Sequence, residues 1–285
     1  LAGGEGTKVA AEHAERAGKV VLITGASAGI GQVTADLLHG QGWTVIGSSR
    51  RGTASGSWTP LVMDVDSDDS VRMGVEKVAA EHGRVDAVVA CAGWGLAGAV
   101  EQTPIDQAKQ QFETNFWGAV RVVQAALPVM RRQGGGRLVL VSSIGGIVSL
   151  PFQAFYSASK FAMEGYGEAL AYEVAPFGIE VTLVQPGNVR TDFTQNRVDV
   201  DPTKSSEGPD AYADAVAKSV GLMERDEQNG VPAASVAAAI AKVLASRRPP
   251  RRVSVGKPDE RVGIIAKRLL PFRIFERAAK GSLGV

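Results

Sequence analysis

The sequence predicts a parallel α/β fold: one Rossmann-like, doubly wound sheet of about seven strands with helices on both faces. Three observations predict it. Short apolar runs rich in Val and Ile alternate with helical patterns along the chain. The runs are apolar at successive positions, as strands covered on both faces must be. A glycine-rich turn, "TGASAGIG" (Thr24–Gly31), joins the first run to the first helical pattern.

Taken in order, "KVVLIT" (Lys19–Thr24) reads as the first strand. Ile30, Val33, Leu37 and Leu38 recur on one face of a helix over residues 29–41. "WTVIGSS" (Trp43–Ser49) and "TPLVMDV" (Thr59–Val65) are the second and third strands. "SDDSVRMGVEKVAAEHG" opens on a Ser/Asp cap and runs helical through Val71, Val75 and Val78. "RVDAVVACAG" (Arg84–Gly93) is the fourth strand, followed by a long helical stretch from about Pro104 to Gln133. "GRLVLVSS" (Gly136–Ser143) is the fifth, and "AFYSASKFAMEGYGEALAYEVAPFG" is a helix closed by Pro176 and Gly178. "IEVTLVQPG" (Ile179–Gly187) is the sixth. Helices near Asp210–Glu227 and Pro232–Ala245 lead to a last strand, "RRVSVG".

No linker divides this pattern, and 285 residues suit one large domain. Residues 1–17 are expected to be a mobile polar extension. Residues 18–257 are expected to form one α/β domain. Residues 258–285 form an amphipathic tail. A net charge of +1 gives no global attraction to nucleic acid. Cys91 is the single cysteine, so no disulfide can form within the chain, and His13, His39 and His82 are too scattered for a metal site. No apolar run reaches the ~18–20 residues that span a bilayer, and a cytoplasmic location is expected.

The glycine turn has two formal readings. Gly25-Ala26-Ser27-Ala28-Gly29 matches the G-x-S-x-G elbow that presents a hydrolase serine. That order requires a histidine downstream, and none follows His82. The turn also ends a strand and opens a helix, whose N-terminal N–H groups and dipole suit a pyrophosphate. Gly25, Gly29 and Gly31 would let the dinucleotide approach, with Ser27 bonding inside the loop or to the cofactor. A tight turn without a ligand is the plain alternative.

Tyr156 and Lys160 are four residues apart on one helix and share a face. A tyrosine can exchange a proton with an alcohol or carbonyl oxygen, but its free pKa is about 10. Bringing it to about 7 takes roughly 4 kcal/mol. An ammonium ~5 Å away in an effective dielectric near 20 supplies about 3 kcal/mol, so Lys160 is expected to provide most of the shift. Ser142 and Ser143 close the fifth strand, and either could join the pair. An exposed helical pair with no role is the alternative.

The motifs "TGASAGIG", "DV" (Asp64-Val65), "CAG" (Cys91–Gly93), "TNFWG" (Thr114–Gly118), "VSS" (Val141–Ser143), "YSASK" (Tyr156–Lys160) and "PGNVRTD" (Pro186–Asp192) occur in that order. Together they resemble the short-chain dehydrogenase/reductase family, most closely its hydroxysteroid-dehydrogenase-like and ketoreductase-like branch. The resemblance covers residues 18–192 closely and the rest more loosely, and it implies that residues 18–257 are a dinucleotide-binding catalytic domain with a substrate lid near 188–227. It implies that Tyr156 is the general acid/base, that Ser143 binds the substrate oxygen, and that Lys160 also binds the nicotinamide ribose. It implies that Asn115 holds a water in a proton relay. Tyr156 and Ser143 would contact substrate. Gly25, Ser27, Gly29, Ile30, Gly31, Ser49, Arg50, Asp64, Val65, Ala92, Gly93, Asn115, Tyr156, Lys160, Pro186, Gly187, Val189 and Thr191 would contact cofactor. Cys91 departs from the family's usual Asn.

At the end of the second strand an acidic residue would select NAD. Ser49 stands there instead, followed by Arg50 and Arg51, so NADP(H) is expected over NAD(H). A solvated basic loop is the alternative. Trp94 and Phe152 are candidates to line the substrate pocket, with core packing open for Phe152. The tail, "RVGIIAKRLLPFRIFERAAKG", mixes apolar and basic residues, and Pro271 interrupts any continuous helix. It could lie on a membrane surface, form a lid or subunit contact, or pack on its own domain. The expected activity is NADP-dependent interconversion of a ketone or aldehyde and an alcohol, on a lipophilic or secondary-metabolite-like substrate. A homodimer or homotetramer is expected, with no nucleic-acid partner and no metal. A non-catalytic NADP sensor, or an epimerase or dehydratase using the same Tyr/Lys pair, are the other readings.

Overall fold

The apolar runs pair into a single parallel sheet. In the computed structural model, which describes residues 18–53, 56–201 and 211–283, its strands are β1 (Val20–Thr24), β2 (Thr44–Ser49), β3 (Thr59–Val62), β4 (Ala87–Ala90), β5 (Gly136–Val141), β6 (Ile179–Pro186) and β7 (Arg252–Val255). Their spatial order is β7-β6-β5-β4-β1-β2-β3, and every pairing is parallel. The order reverses direction at β1 and β4. Beyond the carboxyl ends of these strands lies the crevice such sheets use for ligands. The proposed extension at residues 1–17 lies outside the described residues.

Helices cover both faces because each carries one apolar stripe. On one face α1 (Gly29–Gly40) and a late helix, Ala233–Ala245, bury Ala35, Leu38, Val236 and Ile240 against the sheet. On the other, α2 (Asp68–His82) buries Val71, Val75 and Val78. It starts where the sequence says it should: Ser67 accepts from the Ser70 N–H, and Asp68 and Asp69 occupy the first turn. Gly83, left-handed at φ 71°, ends it.

The predicted helix from Pro104 to Gln133 is not continuous. It divides into α3 (Ile105–Phe112), a π-helical turn (Glu113–Trp117) and α4 (Gly118–Arg132). The extra residue in that turn rotates everything before it relative to α4. Next come α5 (Ala154–Val174), α6 (Ala213–Gln228) and α7 (Ala233–Ala245). The tail folds as α8 (Pro258–Leu269) and α9 (Phe272–Leu283). Leu270 between them is extended, as a residue before proline must be.

Several strands are shorter than their apolar runs. Met63–Val65, Cys91–Gly93 and Ser142–Ser143 continue past the last ladder bonds and pave the crevice floor. Two short ladders fasten the residues above it: Leu96–Ala97 with Val198–Asp199, and Val189–Arg190 with Val231–Pro232.

Candidate active site

The glycine turn is shaped by contacts that no side chain would tolerate. Gly25 and Gly29 have φ of 68° and 54°. A Cβ on Gly25 would sit 2.9 Å from the Ala92 Cα, and one on Gly31 would sit 2.3 Å from the Gly25 carbonyl oxygen. The Ala26 N–H bonds the Ser48 carbonyl at 3.1 Å, tying the turn to β2. Ala28, the cap of α1, supplies no side-chain bond, so the first N–H groups of the helix open toward the crevice. The Ser48 hydroxyl, also on the crevice wall, is buried without a hydrogen-bond partner among the described residues. These features fit a dinucleotide.

The crevice has a volume of about 1430 Å³. That exceeds the ~300–1,000 Å³ of a small-molecule pocket and leaves room for a dinucleotide and a second ligand. Ser27, Ile30, Ser49, Arg50, Asp64, Val65, Ala92, Gly93, Pro186, Gly187, Val189 and Thr191 all line it, together with the three glycines. Thr191 packs directly over Gly29, bringing the loop after β6 across to the turn after β1.

At the crevice floor α5 presents Tyr156 and Lys160, both buried, next to Ser143 at the end of β5. Lys160 Nζ donates to the Val141 carbonyl at 2.9 Å and lies 5.8 Å from the centre of the Tyr156 ring. The Gly145 N–H donates to Ser143 Oγ at 2.9 Å, fixing that hydroxyl as an acceptor from behind. Ser142, its neighbour, has a buried hydroxyl without a partner among the described residues.

The electrostatics correct the expectation for Tyr156. Burial pushes its phenol up to about 12, with the Ser143 hydrogen bond acting in the opposite sense. Burial also lowers Lys160 to about 8, against the pull of Cys91 and Glu164. The simple Coulomb argument counted the ammonium's attraction and omitted the cost of removing both groups from water. Cys91 is likewise pushed up, to about 11, by burial, and Lys160 opposes that shift.

Asn115 does not line the crevice. It lies fully buried in the π-helical turn, and both ends of its amide hold the backbone of Trp94. Oδ1 accepts from the Trp94 N–H at 3.0 Å, and Nδ2 donates to the Trp94 carbonyl at 3.0 Å. In this geometry it positions the strip from Gly93 to Trp94, which lines the crevice.

Trp94 lines the crevice, but Phe152 does not. Phe152 is half-buried, with a left-handed φ of 55°, and its carbonyl accepts from the Gly98 N–H at 2.8 Å. Phe193 takes the place expected for Phe152. Its ring meets the edge of the Tyr156 ring, with centroids 5.8 Å apart. Leu150, Leu222, Met223, Ile264, Leu270 and Phe275 add an apolar wall.

Four supporting residues were not singled out from the sequence. Thr24 Oγ1 accepts from the N–H groups of Cys91 and Ala92, at 3.0 and 3.1 Å, and joins the ends of β1 and β4. Gln111 donates to the Trp94 carbonyl at 2.7 Å. Glu260 accepts from the Asn188 and Lys257 N–H groups at 2.8 and 2.6 Å, supporting the Pro186–Asn188 turn from the tail. Arg197 is buried among Glu224, Glu227 and Asp199. Thr24 stands in the glycine motif, and Glu260 follows a helix-opening Pro-Asp. Nothing in the sequence around Gln111 or Arg197 marks either. Among the described residues no cluster of side chains suits a metal ion.

Comparison with known proteins agrees with this geometry. A family model described as short chain dehydrogenase matches residues 19–201. A 3-ketodihydrosphingosine reductase of Bacteroides thetaiotaomicron is 42% identical over 263 residues, covering 92% of this chain and 97% of that protein. Bovine retinol dehydrogenase 8 is 37% identical, covering 82% of this chain and 80% of its own length. The crystal structure of a short-chain dehydrogenase from Streptomyces avermitilis superposes with a TM-score of 0.77 at 34% identity, covering 92% of this chain and 97% of that one.

Proposed function

The chain belongs to the short-chain dehydrogenase family and is an oxidoreductase of CH–OH and C=O groups; we propose that it uses NADP(H), takes a lipophilic ketone, and moves the proton through Tyr156. The family's fold holds a nicotinamide dinucleotide. The observation that carries the reading is the convergence of Ser143, Tyr156 and Lys160 on the floor of the crevice that the glycine turn opens at its other end.

A bound nicotinamide supplies or accepts the hydride. The chain's own residues do the rest. The Ser143 hydroxyl, held from behind by the Gly145 N–H, donates to the substrate oxygen. The Tyr156 hydroxyl donates to the same oxygen and releases its proton as negative charge develops there. The Lys160 ammonium, 5.8 Å from the ring centre, offsets the cost of the phenolate left behind. Phe193 and the apolar wall keep water from the reacting oxygen.

The preference for NADP(H) rests on the end of β2. Ser49, Arg50 and Arg51 line the crevice there, where an acidic side chain would repel a 2′-phosphate. The lipophilic substrate rests on the wall formed by Leu150, Phe193, Leu222, Met223, Leu270 and Phe275. The names of the two relatives, a 3-ketodihydrosphingosine reductase and a retinol dehydrogenase, point the same way.

The test is steady-state reduction of ketones of graded chain length, followed by loss of NADPH or NADH. The wild type should prefer NADPH and the longer ketones. Tyr156→Phe should lose about 10²–10⁴-fold in kcat while still binding NADPH by calorimetry. Ser49→Asp should move the preference toward NADH. Full activity in Tyr156→Phe would sink the proton-transfer role. A wild-type preference for NADH would overturn the cofactor reading.

A further inference from the structure

The geometry of the tail points to an activity-coupled contact that the catalytic reading does not require: we propose that α8 and α9 dock the protein on an anionic membrane surface at the mouth of the crevice. The two helices have an inner and an outer side. On the inner side Ile264 and Phe275 are buried and face the crevice. On the outer side Val262, Ile265 and Leu269 form a stripe at helical spacing, 62%, 56% and 77% exposed. On α9 Phe272 and Ile274 are exposed as well, at 66% and 56%.

This stripe differs from the scattered apolar residues of an ordinary surface. Exposed apolar side chains stand on both sides of the bend at Pro271. The bend itself is fastened, because Lys267 Nζ lies 5.1 Å and 5.0 Å from the ring centres of Phe272 and Phe275. Beyond Asp259 and Glu260 in the first turn of α8, its charge is one-sided: between residues 261 and 277 stand Arg261, Lys267, Arg268, Arg273 and Arg277 against a single carboxylate, Glu276. Aliphatic and aromatic side chains between cations are the composition of a helix that lies in a lipid headgroup layer. No described helix is long and apolar enough to cross a membrane, so the contact is interfacial.

Charge decides between the possible occupants. A second copy meeting this face across a two-fold axis would set the same cations against their own counterparts, which costs free energy at an interface. A nucleic acid would gain from the cations and nothing from the exposed stripe. An anionic bilayer rewards both. The placement adds a consequence that rests on the proposed lipophilic substrate. Val262 is exposed and also lines the crevice, and Leu270 and Phe275 line it just beneath. A docked protein therefore opens its substrate entrance into the lipid.

The test is co-sedimentation of the full chain with phosphatidylcholine vesicles and with vesicles that also contain phosphatidylserine, at low and high salt. Two double variants, Ile265→Gln with Leu269→Gln and Arg268→Gln with Arg273→Gln, accompany the wild type. All four positions are exposed. Circular dichroism and activity on a short, water-soluble ketone check that both variants fold. The wild type should bind the anionic vesicles and release at high salt. Each double variant should bind roughly tenfold or more weakly, with unchanged activity on the soluble ketone. Absence of vesicle binding, or equal binding by the variants, overturns the proposal. A change of oligomeric state in the variants, with no vesicle binding by the wild type, would assign the face to a second copy. Vesicle binding without any carbonyl reductase activity would instead count against the proposed function and leave the docking surface standing.

Discussion

In the proposed mechanism Lys160 must be charged to ease the departure of the Tyr156 proton, yet it sits where burial lowers its pKa to about 8. Tyr156 itself, raised to about 12, stays protonated across the working range. An alkaline limb in carbonyl reduction therefore belongs to Lys160. The charged ammonium is the active form; it is present below about pH 8 and lost as pH rises through that value. The expected profile of kcat/KM for reduction is flat at neutral pH and falls above pH 8, since this parameter reports the free enzyme. Lys160→Arg, whose guanidinium stays charged, should have a lower plateau and no such limb. A wild-type rate that climbs through pH 8 would remove Lys160 from this role. The identities of these residues were legible in the sequence, because an i, i+4 pair on a helix and a serine at a strand end are patterns. Their pKa values were not, because spacing contains no information about how deeply a helix is buried.

Two turns set the frame in which those residues act. At the first, Gly31 lies within a helix, where alanine is normally favoured by roughly 1 kcal/mol. Against that gain stands a Cβ placed 2.3 Å from the Gly25 carbonyl oxygen. Backbone overlap of that size outweighs helix propensity, so Gly31→Ala should weaken NADPH binding at least tenfold by calorimetry; unchanged affinity would show that the turn yields. The π-helical turn around Asn115 is the second. Trp94 receives bonds to its carbonyl from both Asn115 and Gln111, but its N–H bonds to Asn115. Asn115→Leu should leave that N–H unsatisfied and cost about 1–3 kcal/mol in urea unfolding. An unchanged midpoint would mean that the strip from Gly93 to Trp94 is held by other contacts. The glycine turn was readable because its spacing is a strand-to-helix signature. The π-helical turn was not, because Glu113–Trp117 has no proline or glycine to interrupt the helical pattern. Strand ends were read too long for a related reason: Met63, Val65 and Cys91–Gly93 stay apolar or small after the paired strands end, because they form the crevice floor.

The molecule as a whole closes its substrate side by pinning a polar segment, residues 191–200, to two different layers. Val198–Asp199 pairs with Leu96–Ala97, and Phe193 rests on Tyr156. The anchor to α6 is Arg197, whose side chain is 1% exposed. It reaches Glu224 at 2.8 Å and Glu227 at 3.4 Å, and Thr194 donates to the same oxygen of Glu227. A lone arginine in a polar stretch gives no sign in the sequence that it will be buried, and the segment there reads as a loop. Burial already raises the Glu227 carboxyl, with Thr194 and Arg197 acting in the opposite sense. Arg197→Leu removes the cation and leaves the carboxylate, so the raised pKa should rise further. A carboxyl raised in the folded state costs stability where it is ionised, above its folded pKa. That cost fades as pH falls toward the ordinary carboxyl range, where the folded and unfolded forms are both protonated. At neutral pH the variant should lose about 3–5 kcal/mol in urea unfolding, as when one partner of a buried pair is removed. It should regain part of that loss, relative to wild type, near pH 5. Reduction of a long-chain ketone should show a raised KM before any loss of kcat, because in the proposed function this segment walls the substrate side and supplies no reacting group. An equal deficit at both pH values would mean that Arg197 acts through packing of its aliphatic stem and not through the charge of Glu227.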